Sequence, residues 1–154
     1  MPAWNEAQAA EIMHRHDGRE GALLPILHDV QATFGHVPAE AIPFIAQVLN
    51  LTRAEVQGVV SFYHDFRERP AGRHVLKICR AESCQAMNSE ALAEQVLKHF
   101  GLTWGETTPD GRLTIEPTYC LGLCACSPSA LLDSEPMARL DATCIEEIAR
   151  EVGR

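Results

Sequence analysis

Two stretches of the chain decide its fold: HVLKICRAESC at residues 74–84 and LTIEPTYCLGLC at residues 113–124. Each opens with a short apolar or alternating run that predicts a β-strand, and each reaches its first cysteine where the strand should end. Pro117 lies inside the second run, and because proline cannot donate a ladder hydrogen bond it predicts an edge strand. If the two strands are neighbours in one sheet, the cysteines that follow them meet at the same end.

The four cysteines of these stretches form a possible metal centre. Cys79 and Cys84 are spaced Cys-x4-Cys, and Cys120 and Cys124 are spaced Cys-x3-Cys. Thiolates are soft ligands that suit an iron–sulfur cluster, zinc or copper(I), and small residues with exposed amides surround the second pair, as cluster ligation requires. A structural zinc site usually includes a tight Cys-x2-Cys knuckle, and a thioredoxin-type redox site also uses a Cys-x2-Cys pair. Neither cysteine pair of this chain has that spacing. The spacing therefore favours an iron–sulfur cluster, then zinc, then a redox disulfide.

The first 70 residues contain no cysteine and predict a small helical bundle. Apolar residues recur there at helical spacing in three stripes. Gly35 is the stop signal of the first stripe, Pro38 opens the second, and Thr52 with Glu55 forms a capping box before the third. The stripes are Leu23, Leu27, Val30 and Phe34; Ile42, Ile45, Ala46 and Leu49; and Val56, Val59, Val60 and Tyr63.

The segment ERPAG at residues 68–72 combines charge, proline and glycine, which is typical of a linker or a sharp turn. We therefore predict two domains, a helical segment at 1–70 and a second domain at 73–154.

Beyond the linker the pattern predicts the order β-α-β-β-β-α and hence an α+β protein. Residues 89–100 form a helical stripe that ends at Gly101. Ser134-Glu135-Pro136 predicts a hairpin turn between strands at 130–133 and 137–140. Thr143 with Glu146 predicts a capping box, and the last helix carries an apolar stripe of Ile145, Ile148, Ala149 and Val152.

Composition excludes several classes of function. The net charge of −8 and the sequence pI of about 5.3 argue against nucleic-acid binding, which needs a basic surface. No apolar run approaches the roughly 18 residues of a membrane span, and residues 1–11 show no secretion signal. In a chain read as cytoplasmic, clustered cysteines predict ligands or redox groups before structural disulfides.

The spacing of the four cysteines resembles that of the thioredoxin-like [2Fe–2S] ferredoxin subunit of NADH dehydrogenases, the 24-kDa or E subunit of complex I and its relatives. Further similar blocks are GREGALLPILHDVQ at 18–31, GHVP at 35–38, GVVSFY at 58–63 and CLGLC at 120–124. Within that family, SFYHDFR at 61–67 and CLGLCACSP at 120–128 look most like the gamma subunit of soluble, NAD-dependent formate dehydrogenase.

The resemblance implies a thioredoxin-like domain with a [2Fe–2S] cluster held by Cys79, Cys84, Cys120 and Cys124. It also implies an FMN-bearing, NAD-binding beta-type partner subunit and, in the formate dehydrogenase branch, a larger formate-oxidising subunit with molybdenum cofactor and further clusters. The chain itself has no Gly-x-Gly-x-x-Gly run after a strand and no phosphate loop, so flavin and nicotinamide would belong to the partner.

Some other residues need separate interpretations. Cys126 departs from the common complex I pattern and is a spare ligand, a sulfur near the cluster or, the favoured interpretation, a small buried residue of the loop. Cys144 is interpreted as a core or surface thiol. Arg80 lies between two candidate ligands, where it either tunes the cluster electrostatically or is simply solvated. His14 and His16 would point apart on a helix, which disfavours a metal role.

The resulting functional hypothesis is a non-catalytic, electron-carrying subunit of an NAD-dependent formate dehydrogenase. Its cluster would exchange single electrons with the FMN of the partner. The alternatives are the E-type component of an NADH:quinone oxidoreductase or of an NAD-reducing hydrogenase, a zinc-stabilised interaction module, and a free-standing ferredoxin, which would not need the helical extension.

Overall fold

Four helices build the first unit of the chain, which extends to Pro70 in a computed structural model that describes residues 3–153. Asn5 begins the first helix, because its side-chain oxygen accepts hydrogen bonds from the amides of Ala7 and Gln8. The predicted capping box of Thr52 and Glu55 is confirmed. The helices are α1 (Glu6–Arg15), α2 (Leu23–Phe34), α3 (Ala41–Leu49) and α4 (Arg53–Phe62).

Most residues of the predicted apolar stripes lie in the core of this unit, together with unpredicted residues such as Ile12 and Phe66. Phe34 is fully buried at the end of α2, and the ring of Trp4 lies 5.1 Å from it, centroid to centroid. Gly35 ends α2 with a φ of 80°, as the stop signal predicted. The prediction is wrong for Tyr63, which is 44% exposed, because α4 ends at Phe62 and Tyr63 is already extended.

A four-stranded sheet forms the second unit, which begins at Ala71. Its order is β2-β1-β3-β4, with β1 and β2 parallel and the other pairs antiparallel. The position of β2 at the edge confirms the prediction from Pro117. The strands are β1 (His74–Cys79), β2 (Leu113–Thr118), β3 (Ser129–Leu132) and β4 (Glu135–Ala138).

Helices pack on this sheet around an apolar core centred on Leu76, Ile115 and Ile148. The predicted helix at residues 89–100 is confirmed, including its stop at Gly101. A short helix of five residues precedes it and was not predicted, because so short a piece shows no period. The elements are α5 (Glu82–Ala86), α6 (Ser89–Phe100), the 3-10 turn η1 (Cys124–Cys126) and α7 (Cys144–Val152).

Two predictions for this unit are wrong: the residues of the hairpin turn and the cap of the last helix. The β3–β4 turn is formed by Asp133 and Ser134, both with positive φ, as in a two-residue hairpin turn. Glu135 and Pro136 belong to β4, where an edge strand tolerates proline. At the start of α7 the Thr143 hydroxyl donates to Asp141 instead of capping the helix.

The α+β fold class is thus observed, with helices and a mixed sheet. None of the helices within residues 3–153 is long and apolar enough to cross a membrane.

Candidate metal centre

The parallel pairing of β1 and β2 brings the two cysteine pairs to one end of the sheet. Cys79 is the last residue of β1 and lies opposite Thr118, the last residue of β2. The amide of Arg80 donates to the Thr118 carbonyl at 2.8 Å, which holds the strand ends together. Cys120 follows β2 by two residues, as the position of the first cysteine in each stretch predicted.

The exposed pair is Cys120 and Cys124, whose Sγ atoms lie 3.7 Å apart. A left-handed turn makes this approach possible, because Cys120 has a φ of 73° and Gly122 a φ of 76°. The amide of Gly122 donates to Cys120 Sγ at 3.5 Å. A non-glycine residue at positive φ is uncommon and is often found at functional sites, and Cys120 is such a residue.

The buried pair is Cys79 and Cys84, and serine hydroxyls surround the second of them. Cys84 Sγ lies 3.4 Å from Ser127 Oγ and 3.5 Å from Ser129 Oγ. Burial of Cys84 opposes ionisation, but hydrogen bonds with Ser127, Ser129 and Cys79 outweigh it. The pKa of the Cys84 thiol is therefore lower than its ordinary value. A lowered pKa favours the thiolate, which is the form that binds metal.

The two pairs influence each other electrostatically. The pKa of Cys124 is raised, first by its hydrogen bond with Cys120 and by the charge of Cys120, and further by Cys84 and Cys79. Neighbouring thiolates repel one another, so a cationic group is needed to keep several of them ionised together.

The spacing of the exposed sulfurs fits ligands that share one metal atom. Two thiolates on a tetrahedral metal with bonds of about 2.3 Å are roughly 3.8 Å apart, and Cys120 and Cys124 are 3.7 Å apart. Over residues 3–153, no three or more His, Cys, Asp or Glu side chains are grouped so that they could hold a metal ion. A [2Fe–2S] cluster is ligated by four cysteines divided between two irons, so it needs two such pairs.

Arg80 is held in place rather than simply solvated. Its guanidinium binds Glu90 at 2.5 Å and lies 5.2 Å from the centre of the Trp104 ring. Its Nε atom is buried, and the described part of the chain provides no hydrogen-bond partner for it. The guanidinium is therefore ion-paired and packed on an aromatic ring, and its fixed contacts are with Glu90 and Trp104.

The remaining predicted candidates lie outside the cysteine pairs or contribute through the backbone. His14 and His16 each contact a different carboxylate, Asp17 and Asp29, so they share no ligand position. Cys126 is half-buried in η1; its amide donates to the Leu123 carbonyl, and its own carbonyl accepts from Arg139.

Cys144 is a core residue, and burial first, then the charge of Asp141, raises the pKa of its thiol. Sequence reasoning took Ser127 only as a small residue near the second pair and missed the hydroxyls close to Cys84, which belong to Ser83, Ser127 and Ser129. Their only sequence signal is that they lie close to the cysteines.

The comparisons with known proteins point to one family. The sequence model of the family described as "Thioredoxin-like [2Fe-2S] ferredoxin" matches residues 9–153. The NADH-quinone oxidoreductase E subunit of Pseudomonas aeruginosa is 35% identical over 123 residues, covering 80% of this chain and 74% of the relative. The corresponding protein of Escherichia coli is 35% identical over 136 residues, covering 88% of this chain and 82% of the relative. The chain spans only 52% of the corresponding protein of Mycobacterium tuberculosis.

A solved structure extends the similarity to the fold. The crystal structure of an NAD⁺-reducing [NiFe]-hydrogenase in the air-oxidized state superposes with a TM-score of 0.72 at 28% identity. The match covers 86% of this chain and 23% of the hydrogenase chain. The formate dehydrogenase branch, which the sequence analysis favoured, is not shown by these relatives. The chain belongs to the thioredoxin-like [2Fe–2S] ferredoxin family, as an electron-transfer protein of the type found in NADH-quinone oxidoreductases and NAD⁺-reducing hydrogenases.

Proposed function

We propose that Cys79, Cys84, Cys120 and Cys124 hold a [2Fe–2S] cluster. The observation that carries the proposal is the meeting of two cysteine pairs at the ends of parallel strands, one pair with sulfurs 3.7 Å apart. When bound, such a cluster takes up and returns one electron at a time, whereas hydride transfer to NAD moves two through a flavin.

The residues of this chain would hold the cluster in a half-buried site. Cys79 and Cys84 lie under the protein surface, while Cys120 and Cys124 are exposed. Exposure of one pair gives a partner access to that side, and burial of the other limits the access of water. Amide and hydroxyl donors next to the sulfurs, such as Gly122, supply the hydrogen bonds that tune a cluster.

Metal and sulfide analysis tests the ligand set. Full-length protein should contain about two irons and two sulfides per chain and give an EPR signal after reduction. Replacement of any one of the four ligands by serine should reduce the iron content. Cys144→Ala is the matched control, because Cys144 lies in the core of the same unit and should leave the iron unchanged. A colourless wild-type protein with one zinc would instead support a zinc-stabilised interaction module.

We infer further that the chain is the gamma-type subunit of a soluble NAD-dependent formate dehydrogenase. The support is the similarity of residues 61–67 and 120–128 to that branch. In this assembly a partner that binds FMN and NAD exchanges single electrons with the chain, and a larger molybdenum-cofactor subunit oxidises formate. Six free cysteines are consistent with a reducing compartment, and we propose the cytoplasm.

A second candidate assembly is supported by the relatives. This chain is 35% identical to NADH-quinone oxidoreductase E subunits, and its fold superposes on a chain of an NAD⁺-reducing hydrogenase. Both similarities favour an E-type component of one of those complexes. Purification of the tagged chain from its own cells, followed by assays of formate-, H₂- and quinone-coupled NAD(H) turnover, separates the three assemblies. Recovery of the chain without any flavoprotein would support a free-standing ferredoxin.

We propose that residues 73–154 form the cluster domain and residues 1–70 a helical segment that attaches it to the partner. The support is that the two units have separate apolar cores. The fragment 73–154 should then bind iron when produced alone but fail to capture the flavoprotein that the full chain captures. A fragment that captures the flavoprotein as well as the full chain does would contradict the assigned role of residues 1–70.

A further inference from the structure

The hydroxyl of Ser129 is buried next to the sulfur of the candidate ligand Cys84. Ser129 is 1% exposed, and its Oγ lies 3.5 Å from Cys84 Sγ. Within residues 3–153, this sulfur is the hydrogen-bond partner that the structure gives to the hydroxyl. A buried hydroxyl needs a partner, so its orientation depends on the state of Cys84.

Ser127, the other serine beside Cys84, is differently engaged. A serine hydroxyl has one proton to donate, and that of Ser127 is donated to the Cys124 carbonyl at 2.9 Å. Its oxygen also lies 2.9 Å from Ser83 Oγ and accepts from the Cys84 thiol at 3.4 Å. Once Cys84 has lost its proton to become a ligand, Ser127 has no further proton for the sulfur, whereas Ser129 does.

We infer that Ser129 is a positioning residue whose hydroxyl donates a hydrogen bond to the Cys84 thiolate. This hydrogen bond raises the reduction potential of the bound cluster. This inference rests on the proposed function, because it requires Cys84 to be a ligand. Reduction adds one negative charge that is shared with the ligand sulfurs, and a donor to a sulfur stabilises the more negative state.

Removal of this donor should therefore make the cluster harder to reduce. We expect Ser129→Ala to lower the equilibrium constant for reduction roughly tenfold, which for a one-electron couple is ~59 mV toward negative potential. The ligand set is unchanged, so the iron and sulfide content should remain that of the wild type.

Ser89 provides a matched control in the same unit. It is also 1% exposed, and its Oγ is buried without a hydrogen-bond partner among the described residues. Ser89→Ala thus removes a buried hydroxyl that donates to no sulfur, and the potential should stay at the wild-type value.

The experiment is an EPR-monitored redox titration of the full chain in wild-type, Ser129→Ala and Ser89→Ala forms. A shift confined to Ser129→Ala supports the inference, whereas equal potentials in all three proteins overturn it. Ser129→Thr keeps the hydroxyl and Ser129→Val replaces it by a methyl group of the same shape. This pair must show the same difference even if Ser129→Ala fails to load iron.

The proposed function and the role of Ser129 fail on different results. A wild-type protein that contains no iron or sulfide would refute the proposed function itself. A wild-type protein that is fully loaded, but whose potential is the same in the threonine and valine variants, would refute only the role of Ser129.

Discussion

A single methyl group at position 122 should loosen the exposed cysteine pair without disturbing its surroundings. Gly122 has a φ of 76°, in the left-handed region that residues with a Cβ rarely adopt. A Cβ added there would meet no atom within 4 Å, so Gly122→Ala introduces no clash. The expected cost is therefore conformational, about 1–2 kcal/mol.

The same cost can be placed elsewhere in the unit as a control. Gly101 has a φ of 66° and equally open space around its missing Cβ, but it ends α6, away from the cysteine pairs along the chain. Gly101→Ala and Gly122→Ala should thus lower the free energy of unfolding of the metal-free protein by similar amounts. Only the second strains the turn between Cys120 and Cys124.

Loss of iron to a chelator measures this difference. If opening of the Cys120–Cys124 turn limits iron release, a strain of about 1–2 kcal/mol should accelerate release roughly 5- to 30-fold in Gly122→Ala. The visible absorbance of the anaerobic full-length protein, mixed with excess chelator, gives the rate. Equal rates in Gly122→Ala and Gly101→Ala would refute the reasoning, because the two share the backbone cost and differ only in its place.

Three further changes test other parts of the structure. Gly72→Ala should destabilise the second unit by about 1–3 kcal/mol in urea unfolding, because the new Cβ would lie 2.9 Å from the backbone nitrogen of Leu113. The pKa of Asp29 is lowered chiefly by its hydrogen bond with His16. The Asp29 carboxylate therefore adds to the free energy of unfolding above pH ~4, and this stabilisation is lost as the pH falls through the lowered pKa. Asp29→Asn should accordingly reduce the urea midpoint more at pH 6 than at pH 2.5; an equal loss at both would contradict this. Cys126→Ser should retain the wild-type iron content by elemental analysis, because Cys126 contributes backbone hydrogen bonds to its turn; a loss of iron would make it a ligand.

Elements with strong local signals were predicted correctly from the sequence. The capping box of Thr52 and Glu55 and the stops at Gly35 and Gly101 depend on neighbours within a few residues, and each is present. The edge position of β2 followed from Pro117, because proline lacks the ladder donor that a central strand needs.

The errors occurred where a different residue satisfied the same backbone need. Thr143 has the residue type and spacing of a capping residue, but Asp141 accepts its hydroxyl proton at 2.5 Å. In the hairpin, Ser134-Glu135-Pro136 has turn composition, yet Asp133 and Ser134 make the turn. Sequence composition marked the region correctly, while the pairing of β3 with β4 fixed the register.

The candidate site, too, was predicted only in part from the sequence. The spacing of the cysteines and the strand ends sufficed to predict that Cys79 and Cys120 lie at one end of the sheet. The serines near Cys84 could not be predicted, because serine is common in loops and only the tertiary fold brings Ser127 and Ser129 to the sulfur.

The parallel pairing of β1 with β2 also sets the order in which the protein can mature. Parallel neighbours need a long crossover, here the segment with α5 and α6, and such non-local pairing is slow to form. Cys79 therefore meets Cys120 only after residues 80–119 have been synthesised and the crossover has docked. If the four cysteines hold the proposed cluster, iron delivered to the nascent chain before that moment would find only the first pair, and the complete ligand set would exist only after the crossover has docked.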